Sequence, residues 1–420
     1  MTRLKTKLLH LEQWKRNLYV LFMAQLLSVA GFAVIFPFLP LYVEELGVRT
    51  IGSVEFWTGM VFSAQAVTMG IMAPIWGTLA DRLGRKLMVE RALFGGAIVL
   101  TLMGIARSAE ELTLLRAIQG AITGVVTAAN ALVAASAPRE RAGWALGLMQ
   151  TSVWAGVAVG PLIGGVLADA FGFHATFYLT GLLLLLSGVT VHQWVVEERE
   201  SLEEEAAGGS RSFVEAWKRT LTVEGMSALY GVKFTVRLAA SVMLPVAPLL
   251  VAALMVDSGR VATVAGIFTA ATAAASTLSA VKFGSLGDRI GYRSVLIVGC
   301  VASGLTYLLF LWVGQIWQLI ALAILVGVAN GAVIPSIGAL LANASPKGGQ
   351  GTVYGIDASV NSGARMVAPL IGTAVASWIS LQASFAVAGL IFLLAAAMSI
   401  SWVPQRATLQ QAQRALSTGD

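Results

Sequence analysis

The residues of this chain that can do chemistry are few, and the most conspicuous occur twice. GTLADRLGRK, from Gly77 to Lys86, returns as GSLGDRIGYR, from Gly284 to Arg293. The first copy sets Asp81, Arg82, Arg85 and Lys86 between Gly77 and Gly84, and the second sets Asp288 and Arg289 in the same places. Such a turn offers electrostatics and not bond-making. Its glycines permit close approach and positive φ, its aspartate suits the positive N-terminal end of another helix, and Arg85 is expected to pair with Glu140. The expectation is a conformational latch made of charges.

A second group of ionisable residues lies in apolar surroundings: Arg116, Arg237, Arg365 and Asp357, with Lys233 close by in sequence to Arg237. An arginine near the centre of a bilayer costs at least ~2.5–3.5 kcal/mol and faces protein or water. Arg116 is therefore not lipid-facing, and a tie to backbone carbonyls and span-end dipoles is one role open to it. No mid-span carboxylate stands in the first apolar run, which leaves Asp357 as the acid of most interest, either as a proton site or as a second partner for the Asp81 region.

These residues are carried by a chain of 420 residues that is 57% hydrophobic and only 12% charged, with a mean hydropathy of +0.79. Soluble domains carry about 25% charged residues. Apolar runs of about 20 residues, enough to cross a ~30 Å hydrocarbon layer as helix, are read at 17–43, 55–79, 87–107, 112–137, 144–168 and 173–196. A second set is read at 225–255, 261–283, 294–313, 317–342, 352–377 and 384–402. The basic start before the first run suggests a signal peptide, but the run is too long and ends in Pro37 and Pro40 without a cleavage site.

The two sets are one design repeated. Pro37 and Pro40 return as Pro245 and Pro248, and Pro161 and Gly164 return as Pro369 and Gly372, each 208 residues on; the charged turn returns after 207. The chain thus reads as an all-α polytopic membrane protein, twelve transmembrane helices in two pseudo-symmetric six-helix bundles around a central cavity. Residues 1–196 form the first bundle, 197–224 an acidic, Gly/Ser-containing linker, and 225–420 the second bundle with a short tail. An even number of spans per half gives parallel repeats related by an axis along the membrane normal.

Lysine and arginine concentrate in alternate loops, which places both termini in the cytoplasm of a multi-pass inner-membrane protein. The net charge of +6 is accounted for by loops facing water and anionic lipid, so no nucleic-acid partner is expected. One cysteine, Cys300, excludes an internal disulfide, and His10, His174 and His192 are scattered at span ends, so neither metal nor cofactor is assigned. There is no G-x-x-x-x-G-K-[ST] phosphate loop, and ATP is not the direct energy source.

G-x-L-A-D-R-x-G-R-K between the second and third spans resembles the signature loop of the major facilitator superfamily, over the full six-plus-six layout. The resemblance implies that Asp81 meets the N-terminus of the eleventh span, near Thr352 and Gly355, and steadies the outward-facing state. Tyr292 stands in place of Arg85 in the second copy. Leu115 to Gly120 is similar to the family segment whose arginine, here Arg116, is implicated in proton handling. Gly156, Gly160, Pro161, Gly164 and Gly165 resemble the fifth-span pattern of drug:proton antiporters, where packing through small residues and a proline bend are also expected.

By this resemblance the chain is a secondary active transporter, not an enzyme. It is expected to export hydrophobic or amphipathic compounds by alternating access in exchange for protons, as a monomer whose partners are its substrate, protons and membrane lipid. The cavity is expected to draw on Gln25, Asn130, Gln150, Trp154, Phe234, Asn330 and Asn361, though any one amide could instead bond between helices. By the 208-residue repeat Arg237 matches Val29 and Arg365 matches Val157, both mid-span. With Arg116 these leave positive charge uncompensated, which favours neutral, zwitterionic or anionic amphiphiles; cross-linking of helices by the same arginines is the other role open to them. A dedicated metabolite or organic-anion carrier is the alternative activity, and a membrane sensor that moves no solute is the alternative of another class.

Overall fold

The computed structural model of the chain describes residues 12–138, 140–197, 222, 225–255, 258–344 and 350–403, and the side chains of residues 81, 82, 258 and 350–355 lie outside that description. Every regular element among the described residues is helical. In chain order they are α1 (Gln13–Val34), α2 (Leu39–Leu46), α3 (Val54–Leu83), α4 (Arg85–Met103), α5 (Ala109–Ile122), α6 (Val125–Ser136) and α7 (Ala142–Trp194). There follow α8 (Met226–Val242), α9 (Val246–Leu254), α10 (Val261–Ile290), α11 (Tyr292–Leu309), α12 (Ile316–Ala344), α13 (Gln350–Trp378) and α14 (Leu381–Trp402). In lipid a spanning backbone must satisfy its own polar groups, and helices do so within one segment.

Nine stretches among the described residues are long and apolar enough to cross a membrane. One of them, α7, has 53 residues and would reach ~80 Å if straight, far more than one crossing. Gly172, at φ 81°, divides it into the fifth and sixth spans read from the sequence. Helix α4 falls outside the nine and carries Arg85, Lys86, Glu90 and Arg91.

Three spans are broken where the sequence reading had them continuous. The first breaks into α1 and α2 through turns at residues 35–38, and the seventh into α8 and α9 at 243–245. These breaks hold Pro37 and Pro245, each of which removes a backbone donor from the helical ladder. The fourth span breaks between α5 and α6 at Thr123 and Gly124, the latter at φ 139°.

The described residues pack as two units, one comprising those up to 209 together with 256–270, the other those in 210–255 and from 271 on. The opening of α10 therefore belongs with the first unit, unlike the division at 197–224 read from the sequence. Its local cause is in the fifth span. A Cβ on Gly165 would stand 2.2 Å from the Ala262 carbonyl oxygen, and one on Gly266 would stand 2.4 Å from that of Pro161. The Asp169 carboxylate accepts from the amides of Ala262 at 3.2 Å and Thr263 at 2.6 Å, taking up two of the donors that the first turn of α10 leaves free. Of the linker residues 197–224, Glu197 and Thr222 are among the described residues.

Within each unit the same crossings recur. In the first, a Cβ on Gly164 of α7 would lie 2.0 Å from the Val34 carbonyl oxygen of α1, and in the second one on Gly372 of α13 would lie 2.1 Å from that of Val242 at the end of α8. Both members are displaced by 208 residues (372 − 164 and 242 − 34). Likewise Gly120 of α5 lies over the Gln65 carbonyl of α3, as Gly327 of α12 lies over that of Thr272 in α10, both 207 apart (327 − 120 and 272 − 65).

Gly84 adopts φ 100° and ψ 146°, a conformation that costs a side-chain-bearing residue about 1–3 kcal/mol. A Cβ there would also meet Glu197 Oε2 at 2.9 Å, whereas one on Gly77 would meet nothing within 4 Å. Gly77 sits inside α3 and is not the close-approach residue that the repeated turn led us to expect. Gly84→Ala should lower the thermal midpoint of the purified protein in detergent by several degrees, while Gly77→Ala should leave it unchanged or raise it slightly. Equal losses in the two variants would contradict this reading of the turn.

Candidate functional site

The glycine-bounded turn is held by an acid other than the expected one. The Glu197 carboxylate accepts from the backbone amides of Arg85 at 2.8 Å and Lys86 at 2.9 Å, so it caps α4. Glu140 is exposed and makes no ion pair with Arg85. Lys86 turns to the end of the sixth span, where its ammonium donates to the His192 carbonyl at 3.0 Å and lies 3.6 Å from Glu90. Asp81 and Arg82 are helical, but their side chains lie outside the described residues, as do those at Thr352 and Gly355; the expected Asp81 contact falls there. In the second copy Tyr292 donates its hydroxyl to Asp288 at 2.5 Å, and Arg289 is exposed. The tyrosine that replaces Arg85 thus gives the turn an internal hydrogen bond.

The glycine run of the fifth span packs against α1 backbone to backbone. Cβ atoms on Gly156 and Gly160 would stand 2.9 Å from the Ala30 nitrogen and 2.6 Å from its oxygen, with Gly164 over Val34 and Gly165 over Ala262. Pro161 is buried inside the same helix. In the second half the places of Gly156 and Gly160 are taken by Ala364 and Ala368, both fully buried, so only the first half needs a bare backbone at these two positions.

Arg116 is 2% exposed. Its Nε donates to the Val61 carbonyl at 3.3 Å and its Nη1 to Gln119 Oε1 at 2.5 Å, and the guanidinium lies 5.9 Å from the Phe62 ring centre. Nη2 and the Gln119 amide nitrogen are buried without a partner. No carboxylate of a described residue reaches it. Of the two roles read from the sequence, the geometry supplies the tie to a backbone carbonyl.

The expected cavity residues divide. Gln25 is fully buried and donates to the Met149 carbonyl at 2.9 Å, so it joins α1 to α7. Asn330 accepts from Ser303 at 3.4 Å and joins α12 to α11. Both are interhelical bonds, the commoner use of an amide in a membrane. Asn130 is half-buried with its Oδ1 unpartnered, while Gln150 and Trp154 are exposed on the first unit.

On the second unit the expected residues converge. Helices α8 and α13 pack together, with Lys233, Phe234 and Arg237 on one and Asp357, Asn361 and Arg365, each one turn apart, on the other. Lys233 donates to Asp357 Oδ1, and Asn361 donates to Asp357 Oδ2 at 3.1 Å. Arg237 lies within electrostatic range of Asp357, and Arg365 within that of Arg237. The Phe234 ring lies against Gly363, 3.6 Å from where its Cβ would be. By contrast, an apolar recess of about 240 Å³ at the Gly172 kink, lined by Leu167, Phe171, Ala175, Thr176 and Leu179, contains no ionisable group.

Two residues of the first unit gave no sign in the sequence. Where the fourth span opens at Gly124, Trp76 donates its indole N–H to the Ala121 carbonyl at 2.6 Å, and Arg91 reaches the Thr123 carbonyl at 3.4 Å. The Arg91 guanidinium stacks 3.5 Å over the Trp76 ring, so the two support each other. The only sequence trace of this break is a Thr-Gly pair within an apolar run.

The family model for the Major Facilitator Superfamily matches residues 21–247 and 229–418. Among curated relatives, a protein named "Multidrug resistance protein MdtG" from Serratia proteamaculans is 36% identical over 396 residues, 94% of this chain and 95% of the relative. The protein of that name from Yersinia enterocolitica is 35% identical over 96% of both chains. Of solved structures, a bacterial homologue of the human lysosomal transporter Spinster, inward-facing and occupied, gives a TM-score of 0.72 at 14% identity over 96% of this chain and 98% of that one. The human organic anion transporter MFSD10 gives 0.64 at 18% over 93% and 100%. An all-helical chain built on a doubled set of glycine-mediated helix crossings, matched by the family model in both halves, belongs to the Major Facilitator Superfamily.

Proposed function

We infer that this chain exports hydrophobic or amphipathic small molecules across the inner membrane in exchange for protons, by alternating access. The observation that carries the reading is the fifth-span glycine run lying bare against α1, together with curated relatives of nearly equal length named for multidrug resistance. Glycine-mediated contacts let two helices slide or part without dragging interlocked side chains. No covalent step is needed, and no cofactor.

Each chain carries both repeats, which supports action as a monomer in contact with lipid, substrate and protons. Proton coupling is assigned to Asp357, whose protonation releases Lys233 and frees α8 from α13 at that level. The conformational latch is assigned to the Gly84 turn, with Glu197 in the role first given to Glu140. Arg116 serves the same cycle by holding α3 to α5.

Replacing Gly160 with Leu places a branched side chain where even a Cβ meets the Ala30 oxygen at 2.6 Å. At matched membrane abundance, energised cells carrying Gly160→Leu should retain a lipophilic dye that wild-type cells extrude, with the initial efflux rate down about tenfold. A protonophore should abolish the wild-type efflux. Extrusion that persists in both conditions would overturn the reading.

Orientation follows from the excess of lysine and arginine in alternate loops. Single cysteines at Ser201 and Thr408, both outside the described residues, should react with an impermeant maleimide in inverted vesicles but not in intact cells, in a Cys300→Ser background. Labelling in intact cells would reverse the assignment.

A further inference from the structure

Two kinds of intramembrane arginine are present in this protein. Arg116 is sealed and bonded to Val61 and Gln119. Arg237 and Arg365 are not: Arg365 is exposed on its unit, Arg237 is half-buried, and neither makes a hydrogen bond or an ion pair with a described residue. A helix cross-link would show the donor contacts that Arg116 makes.

Depth makes the contrast consequential. Arg365 lies 15 residues into the 29-residue α13, ~22 Å along its axis, and Arg237 lies 11 residues into α8. Cations at mid-span are stable only against water or a counter-charge. The nearest carboxylate cannot supply that charge in full, because both Asp357 oxygens are already engaged, one by Lys233 and one by Asn361. Lys233, Arg237 and Arg365 against Asp357 leave a formal excess of two positive charges on facing turns of α8 and α13. Beside them the surface turns apolar at Phe234, which lies against Gly363 and one helical turn before Arg237.

We propose that Arg237 and Arg365 form a recognition dyad for the headgroup of an amphipathic anion, a carboxylate, sulfonate or phosphonate whose apolar body lies along Phe234. Guanidinium forks suit such planar or tetrahedral oxyanions, and two of them give charge-assisted bonds to separate oxygens. Lys233 keeps Asp357 occupied, so the carboxylate does not neutralise the dyad. The proposal rests on the export reading for the identity of its ligand as cargo, and the source of the anion is taken to be a soluble amphiphile and not a lipid.

The test uses three probes with one fluorescent tail: pyrenebutanesulfonate, the neutral pyrenebutyramide, and pyrenebutyl-trimethylammonium. Each is titrated into the purified full chain in nanodiscs of phosphatidylcholine. Wild type should bind the sulfonate about tenfold or more tighter than the amide, and the quaternary cation weakest. Arg365→Gln and Arg237→Gln should each weaken sulfonate binding about tenfold, ~1.4 kcal/mol, and amide binding less than about twofold. Unchanged amide binding shows that the variants are folded, and Arg365→Lys should fall between wild type and Arg365→Gln.

Equal losses for all three probes, or tightest binding of the cation by wild type, would overturn the dyad while leaving export intact. Displacement of the sulfonate when phosphatidylglycerol is added to the nanodiscs would assign the dyad to lipid and overturn the cargo proposal. Arg365-dependent sulfonate binding by a protein that moves none of the probes across a membrane would sustain the dyad and remove the export reading.

Discussion

The structure depends on a glycine set directly over a carbonyl of a neighbouring helix. At Gly164 there is room for a hydrogen and nothing more, because a Cβ would lie 2.0 Å from the Val34 oxygen. Lipid tails are as apolar as leucine, so helices in a bilayer gain little from hydrophobicity and associate through close packing and polar contacts. The crossing fixes α1 against α7, and its copy at Gly372 and Val242 fixes α8 against α13.

The charges are placed against that frame in two ways. Where a cation or amide completes a helix contact it is bonded across that contact, as Arg116, Gln25 and Asn330 are, the first two of them buried. At helix ends an acid takes the free amides: Glu197 caps α4, and Asp169 caps α10. Neither cap needs a mate from the same repeat, so the first unit can take the opening of a helix that the sequence repeat counts with the second. Arg237 and Arg365 follow neither rule, and for that reason they carry the specificity argument.

Much of this was legible in the sequence where a single stretch carries the signal. Apolar runs gave the spans, and prolines, glycines and the Asp-Arg turn held a constant spacing because each has a local conformational job. The breaks at Pro37 and Pro245 were visible as prolines but not as breaks, since a proline can also bend a helix without ending it. What could not be read was partnership across the chain. Lys233 and Asp357 are 124 residues apart, and Glu197 rather than Glu140 meets the Arg85 amide. An amide in an apolar run likewise does not show which side of its helix meets another: Gln25 and Asn330 took interhelical roles, while Asn361 joined the charged cluster.

In the proposed cycle, packing that is close but free to separate lets this chain couple a proton gradient to solute movement. The direct measurement is accumulation of pyrenebutanesulfonate, whose charge does not titrate, in proteoliposomes with an acidic interior. Wild-type vesicles should accumulate the probe above its equilibrium level and lose it when nigericin collapses the gradient, and vesicles bearing Gly160→Leu should take it up about tenfold more slowly. Accumulation that is the same with and without the gradient, or the same in wild type and Gly160→Leu, would contradict the account.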